Sequence, residues 1–193
     1  MKTVCVFCGS RDGARPSYRA LAQQMGTTLA RRELGLVYGG GQVGLMGALA
    51  DAALEEGGEV IGVIPKALLA REVAHTGISK LHVVGSMHER KKLMADLSDG
   101  FIALPGGYGT LEEFLEVLSW AQLGIHEKPC ALLDVHGYWE PLSSLFDKAV
   151  TERFVLPEHR SLVLVEEDPE LLLDKMAHYV PPEMKQWIGP RDL

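Results

Sequence analysis

Short apolar runs alternate with segments of helical period along almost the whole chain, and nothing else in the sequence restricts the fold as much. Strands are predicted at Thr3–Cys8, Gly35–Tyr38, Glu59–Ile64, Leu81–Val84, Phe101–Leu104, Cys130–Leu133 and Leu162–Val165. Helices are predicted at Ser17–Glu33, Gly44–Glu56, Met87–Leu97, Leu111–Leu123, Tyr138–Glu152 and Pro169–Tyr179. Strands that read as continuous apolar runs are buried on both faces, and helices between them supply right-handed crossovers. The expectation is an α/β protein: a doubly wound parallel sheet of about seven strands with helices on both faces. No repeat or linker divides the 193 residues. One domain over residues 1–180 is expected, followed by an irregular tail over 181–193 that opens with two prolines.

Composition removes several function classes. A net charge of −7 argues against a general nucleic-acid or anionic-membrane surface. The longest stretch without a charge, Leu34 to Ala50, contains six glycines and is too short to span a bilayer. Met1-Lys2-Thr3 runs straight into a strand rather than a signal peptide, so a cytoplasmic protein is expected. Cys5-Val6-Phe7-Cys8 spells C-x-x-C, yet it lies in a strand, where three residues span roughly 10 Å and the thiols point to opposite faces. Bridging them would need Cα atoms within roughly 7 Å, so both read as core cysteines. The seven histidines show no metal-ligand spacing, and no metal is expected.

The chemistry concentrates where strands give way to helices, the side on which such sheets bind ligands. Pro105-Gly106-Gly107-Tyr108-Gly109-Thr110 follows the fifth strand and opens a helix. Backbone N–H groups and the helix dipole converge there on an arriving anion, and Thr110 adds a hydroxyl. Glu112 and Glu113 follow, as expected of first-turn carboxylates, one of which needs no further role than to favour the dipole. A phosphate cradle beside an acid suggests an enzyme acting on a phosphorylated substrate.

Gly39-Gly40-Gly41-Gln42-Val43-Gly44 contains G-x-G-x-x-G, but it follows the second strand, and the next strand ends Ile64-Pro65 without a ribose-binding acid. Dinucleotide binding is therefore not expected. Gly40 and Gly41 are read instead as a second phosphate-contacting turn, against the plainer account of a turn that lets helix and strand pack closely. No G-x-x-x-x-G-K-[ST] is present. Ser86 and Glu89 form a capping box at the start of the third helix. Arg90 shares a helical stripe with Met87, Met94 and Leu97, so its guanidinium turns inward and needs an anion or a set of acceptors. Lys91 points about 100° away around the helix, either as a second positive contact or as a solvated charge.

Pro105–Glu113 matches P-G-G-x-G-T-x-x-E, and Met87-His88-Glu89-Arg90-Lys91 stands upstream of it. With Gly39–Gly47 and Trp120-Ala121-Gln122-Leu123-Gly124, these motifs make the chain resemble the LOG ("lonely guy") family from Val4 to about Arg160. The resemblance implies a Rossmann-like fold, a homodimer, and no metal or organic cofactor. It implies hydrolysis of the N-glycosidic bond of cytokinin riboside 5′-monophosphates to a free adenine-type base and ribose 5-phosphate. Members have also been labelled possible lysine decarboxylases, but this sequence has no motif for a pyridoxal-phosphate Schiff-base lysine.

By position, the resemblance makes Arg90 and Glu113 the catalytic pair. It places Gly107, Tyr108, Gly109, Thr110, Leu111, Glu112 and Lys91 around the nucleotide, with Glu72 as a further substrate contact. Ser119 stands where members often carry threonine and keeps the hydroxyl. In this scheme Arg90 either anchors Glu113 or binds the nucleotide. The expected substrates are N6-modified adenosine 5′-monophosphates and AMP itself. The alternatives are a general AMP or purine-nucleotide nucleosidase and a non-catalytic nucleotide carrier, the last disfavoured by the Arg90/Glu113 pair.

Overall fold

A computed structural model describes residues 1–69 and 73–182. The expected α/β fold is observed. Seven strands, β1 (Thr3–Phe7), β2 (Gly35–Tyr38), β3 (Val60–Pro65), β4 (Lys80–Val84), β5 (Gly100–Ala103), β6 (Cys130–Leu133) and β7 (Val163–Glu166), form one sheet in the order β4-β3-β2-β1-β5-β6-β7. Every pairing is parallel, with Val4 opposite Leu36 on one side and Gly100 on the other.

Strand alternation sorts the core into two layers. Val4, Val6 and Cys8 face α1 (Pro16–Arg31), α2 (Gly44–Glu55) and α7 (Pro169–Ala177). Cys5 and Phe7 face α3 (Met87–Asp96) and α4 (Tyr108–Gln122), with Leu142 and Phe146 of α5 (Glu140–Thr151) packed on the same layer. The two cysteines of the C-x-x-C thus enter opposite layers, as the strand assignment requires, and remain free thiols. Burial pushes the Cys130 thiol up to about 12 and raises the Cys5 and Cys8 thiols well above their usual range.

The chain leaves β1 toward β2 through α1 and leaves β5 toward β6 through α4, on opposite faces. The switch point therefore lies between the carboxyl ends of β1 and β5, where the two loops part and leave a crevice.

Two sequence expectations shift. Helix α4 begins at Tyr108, three residues before Leu111, because Gly107 is extended (φ −95°, ψ −155°) and its carbonyl accepts from the Leu111 N–H at 3.1 Å. Apolar periodicity could not mark this turn, since Tyr108 is 93% exposed. Glu112 and Glu113 consequently lie in the second turn, where the dipole gives them little support. A short helix α6 (Pro157–Arg160) and a 3₁₀ turn (Lys66–Leu68) were not legible in the sequence. Pro181 and Pro182 carry no regular structure, and the rest of the expected tail lies outside the described residues.

Candidate functional site

A cavity of about 620 Å³ occupies the crevice. Its walls are the β1–α1 loop (Cys8–Gly13), Leu45 and Met46 at the start of α2, Met87 and Arg90 of α3, and Pro105–Thr110 with Glu112 and Glu113. Tyr18, Leu68 and Tyr138 complete it.

Arg90 is fixed from three directions. Its Nε donates to the Val63 carbonyl at the end of β3, and Nη2 donates to the Gly39 carbonyl beyond β2, each at 3.1 Å. Its Nη1 lies 3.7 Å from Oε1 of Glu113. Arg90 is buried and the Glu113 side chain is only 12% exposed, so the pair attracts more strongly than it would in water. Gly39 has no side chain because there is no room for one: a Cβ there would lie 2.1 Å from Nη2 of Arg90. The inward turn expected of Arg90 is thus observed, with the Val63 and Gly39 carbonyls accepting from it and Glu113 as an ion-pair partner.

The turn before α4 is equally constrained. Thr110 is buried, and its hydroxyl would be 2.1 Å from a Cβ on Gly106. The Gly9 N–H donates to the Pro105 carbonyl, and the Gly9 carbonyl accepts from the Leu45 N–H, both at 3.1 Å. Gly9 thereby joins the β1 loop, the Pro105–Thr110 turn and the start of α2. The Tyr138 hydroxyl donates to the Gly106 carbonyl, and the Tyr138 ring meets Tyr18 edge-on at 5.8 Å. The N-terminus of α4 therefore faces the cavity from a braced platform, the arrangement an anion site requires.

Lys91 is not the solvated charge that is one of its two sequence readings. It is buried, and its Nζ contacts Glu112 and donates to Glu116 Oε1 at 2.9 Å. Burial would lower its pKa, but the two carboxylates outweigh that and raise it, so the ammonium stays charged. The capping box is half as expected: Ser86 accepts from the Glu89 N–H at 3.1 Å, while Glu89 reaches back to the N–H of Gly85 rather than Ser86.

The structure thus gathers Arg90, Glu112, Glu113, Gly107, Tyr108, Gly109 and Thr110 around one cavity. Gly40 and Gly41 do not line it. The Gly40 carbonyl accepts from His75 N–H, and Gly41 bridges Ala74, so the expected phosphate-contacting turn is a packing turn. Gly44 serves packing too: its φ is +64°, and a Cβ would meet the Ser10–Arg11 backbone at 2.4 Å. Leu111 packs on the core, and Ser119, whose hydroxyl donates to the Leu115 carbonyl at 2.7 Å, lies off the cavity. Glu72 lies outside the described residues. The sequence reading passed over Ser10, Arg11, Asp12, Met46 and Tyr138. The available signal was Gly9 and Gly13 flanking the end of the first strand, which in a doubly wound sheet borders the switch point.

Among the described residues no cluster of three His, Cys, Asp or Glu side chains is placed to hold a metal ion, and no helix is long and apolar enough to cross a membrane. No lysine among the described residues lines the cavity, so these residues do not suit the Schiff base of a pyridoxal-phosphate enzyme.

Comparison with known proteins agrees with this picture. The family described as "possible lysine decarboxylase" matches residues 46–176. The chain is 53% identical over 180 residues to a probable cytokinin riboside 5′-monophosphate phosphoribohydrolase of Oryza sativa subsp. japonica, covering 93% of this chain and 79% of the relative. It is 55% identical over 170 residues to a cytokinin riboside 5′-monophosphate phosphoribohydrolase of Rhodococcoides fascians, covering 88% and 86%. Among solved structures, the molybdenum cofactor carrier protein of Chlamydomonas reinhardtii has a TM-score of 0.70 at 20% identity, covering 92% of this chain and 99% of that one. That likeness is one of fold.

Proposed function

The chain belongs to the LOG family, whose matching model carries the description "possible lysine decarboxylase", and on that premise we propose that it is a nucleoside 5′-monophosphate phosphoribohydrolase. Its substrates are N6-modified adenosine 5′-monophosphates, and AMP as well. The observation that carries the reading is the Arg90–Glu113 pair at the wall of a cavity that also contains the N-terminus of α4. A carrier needs the anion site but has no evident use for a buried carboxylate held against a guanidinium.

The chemistry follows from this placement. The 5′-phosphate docks on the Gly107–Thr110 backbone at the start of α4, which fixes the ribose relative to Glu113. The bond from the anomeric carbon to the base nitrogen breaks, its electron pair leaves with the base, and positive charge grows on the sugar. Glu113 stabilises that charge, then accepts a proton from the water whose oxygen bonds to the anomeric carbon. The departing base recovers a proton, so water is divided between the two products. Arg90 holds the Glu113 carboxylate in place, itself held by the Val63 and Gly39 carbonyls. By family position Glu72 is a further substrate contact. Ser119, one face of α4 away from this cavity, has its family role only if a second subunit completes the site.

We propose a homodimer closing over α4 and α5. Helix α5 is amphipathic yet has no buried residue, and Leu115, Leu145, Phe154 and Leu156 are exposed. Three buried free thiols suit a reducing compartment, in keeping with a cytoplasmic enzyme that has no nucleic-acid partner. Glu113→Gln tests the mechanism. Turnover falls by roughly 100-fold or more while nucleotide affinity is kept; equal turnover by variant and wild type removes Glu113 from the reaction.

A further inference from the structure

Beside the Arg90–Glu113 pair lies a second ionic layer. Lys91 Nζ contacts Glu112 and donates to Glu116 Oε1 at 2.9 Å, and its side chain is only 9% exposed. Glu112 lines the cavity; Lys91 does not. A phosphate entering the cavity meets the Glu112 carboxylate before it can meet the ammonium behind it. The other oxygen of Glu116, Oε2, is buried with no hydrogen-bond partner among the described residues, so Lys91 is what stabilises the charge on that carboxylate.

We infer that Lys91 is a positioning residue and not a ligand of the substrate. It ties α3 to α4 and neutralises Glu112 and Glu116, which leaves Arg90, one residue back along α3, matched to Glu113, one residue on along α4. The inference rests on the phosphoribohydrolase reading and assigns Lys91 a role different from the substrate contact implied by family position.

The charge count gives the reason. Glu112, Glu113 and Glu116 are three carboxylates on two turns of one helix, and Lys91 is the cation that Glu112 and Glu116 share. With Lys91 removed, the helix face that carries Glu113 loses that positive charge. Like charges at this spacing raise the proton affinity of the cluster as a whole, and a protonated Glu113 accepts no proton from water. Among the described residues, the Cys5 and Cys8 thiols of β1 also lie near Glu113, and burial pushes both up and so keeps them neutral.

The test is the rate of base release from AMP by wild type, Lys91→Gln and the double variant Lys91→Gln/Glu116→Gln, from about pH 5 to about pH 9. The expected result for Lys91→Gln is a kcat lowered roughly tenfold near pH 6, with KM within about twofold of wild type. The acid limb of its profile moves up by roughly one unit. Adding Glu116→Gln removes the more buried of the two carboxylates that lose Lys91, and most of the lost kcat returns. The double variant also serves if Lys91→Gln alone does not fold, because removing both partners of a buried pair costs less than removing one. A KM raised about tenfold or more, with kcat and the acid limb unmoved and no recovery in the double variant, overturns the inference. Wild type that releases no base instead overturns the phosphoribohydrolase reading and this inference with it.

Discussion

Replacing Gly39 with alanine adds one methyl group and strikes chiefly at Arg90. The new Cβ would stand 2.1 Å from Nη2 of Arg90, 3.3 Å from its Cζ and 3.1 Å from Sδ of Met46. Gly39 is not in the left-handed region, so backbone strain does not complicate the comparison. Because its own carbonyl is the acceptor for Nη2, the guanidinium must retreat by roughly 1 Å from an atom to which it is bonded. That breaks the 3.1 Å bond to Gly39 and bends the one to Val63. A hydrogen bond to a buried charge contributes about 1.5–3 kcal/mol, so a loss of about 3 kcal/mol is expected. For a chain of this size that lowers Tm by about 6–12 °C. Glu113 loses its register as well, and a misplacement of about 1 Å costs roughly 100-fold in kcat. Thermal melts and base-release assays on the same preparation read both effects. Gly109→Ala is the stability control: its Cβ meets nothing within 4 Å, and Gly109 lies within α4, so that variant melts at or above the wild-type temperature. A Gly39→Ala protein with wild-type Tm and turnover would refute the claim that backbone carbonyls lock Arg90.

Tyr138→Phe removes the hydroxyl that holds the Gly106 carbonyl; KM for AMP should rise about three- to tenfold with kcat little changed, and an unchanged KM would show that the turn keeps its shape unaided. His126 carries its proton on Nε2, which donates to the Val117 carbonyl at 2.9 Å, while Nδ1 accepts from the Lys128 N–H at 3.1 Å. Burial depresses its pKa from 6.5 to about 4, so between those values the unfolded chain binds the extra proton and stability falls as pH falls. The change amounts to about 3 kcal/mol, complete below about pH 4; His126→Gln should flatten that part of the curve in denaturant titrations, and an unaltered slope would assign it elsewhere. Leu145 is 60% exposed on α5, and Leu145→Glu should halve the mass seen in light scattering; a monomeric wild type would remove the proposed dimer altogether.

The sheet was legible because each strand is a short apolar run with helices on either side, a pattern for which a parallel sheet buried on both faces is the economical solution. Gly35–Tyr38 and Cys130–Leu133 agree residue for residue. The ends of α4 were not legible, because its first turn consists of exposed or small residues that carry no apolar period. The site was half legible. Pro105–Thr110 and Arg90 stand out by spacing and by the cost of an inward-facing charge. Lys91 does not, since its burial depends on Glu112 and Glu116 from the neighbouring helix on the same face of the sheet, and pairing between elements leaves no mark on a helical wheel. Gly40 and Gly41 misled for a related reason: a glycine that admits a ligand and a glycine that admits another backbone look the same in sequence. Only the engaged Gly40 carbonyl and the Gly41–Ala74 bridge distinguish them.

The most direct test of the account is release of free base and ribose 5-phosphate from isopentenyladenosine 5′-monophosphate and from AMP, side by side, with Glu113→Gln as the paired variant. The account predicts that both nucleotides are cleaved in stoichiometric amounts, the prenylated one preferentially, and that the variant cleaves neither at a comparable rate. AMP cleaved as well or better would replace the cytokinin reading with a general nucleosidase. Binding of both nucleotides with no base released would contradict the account and leave a carrier.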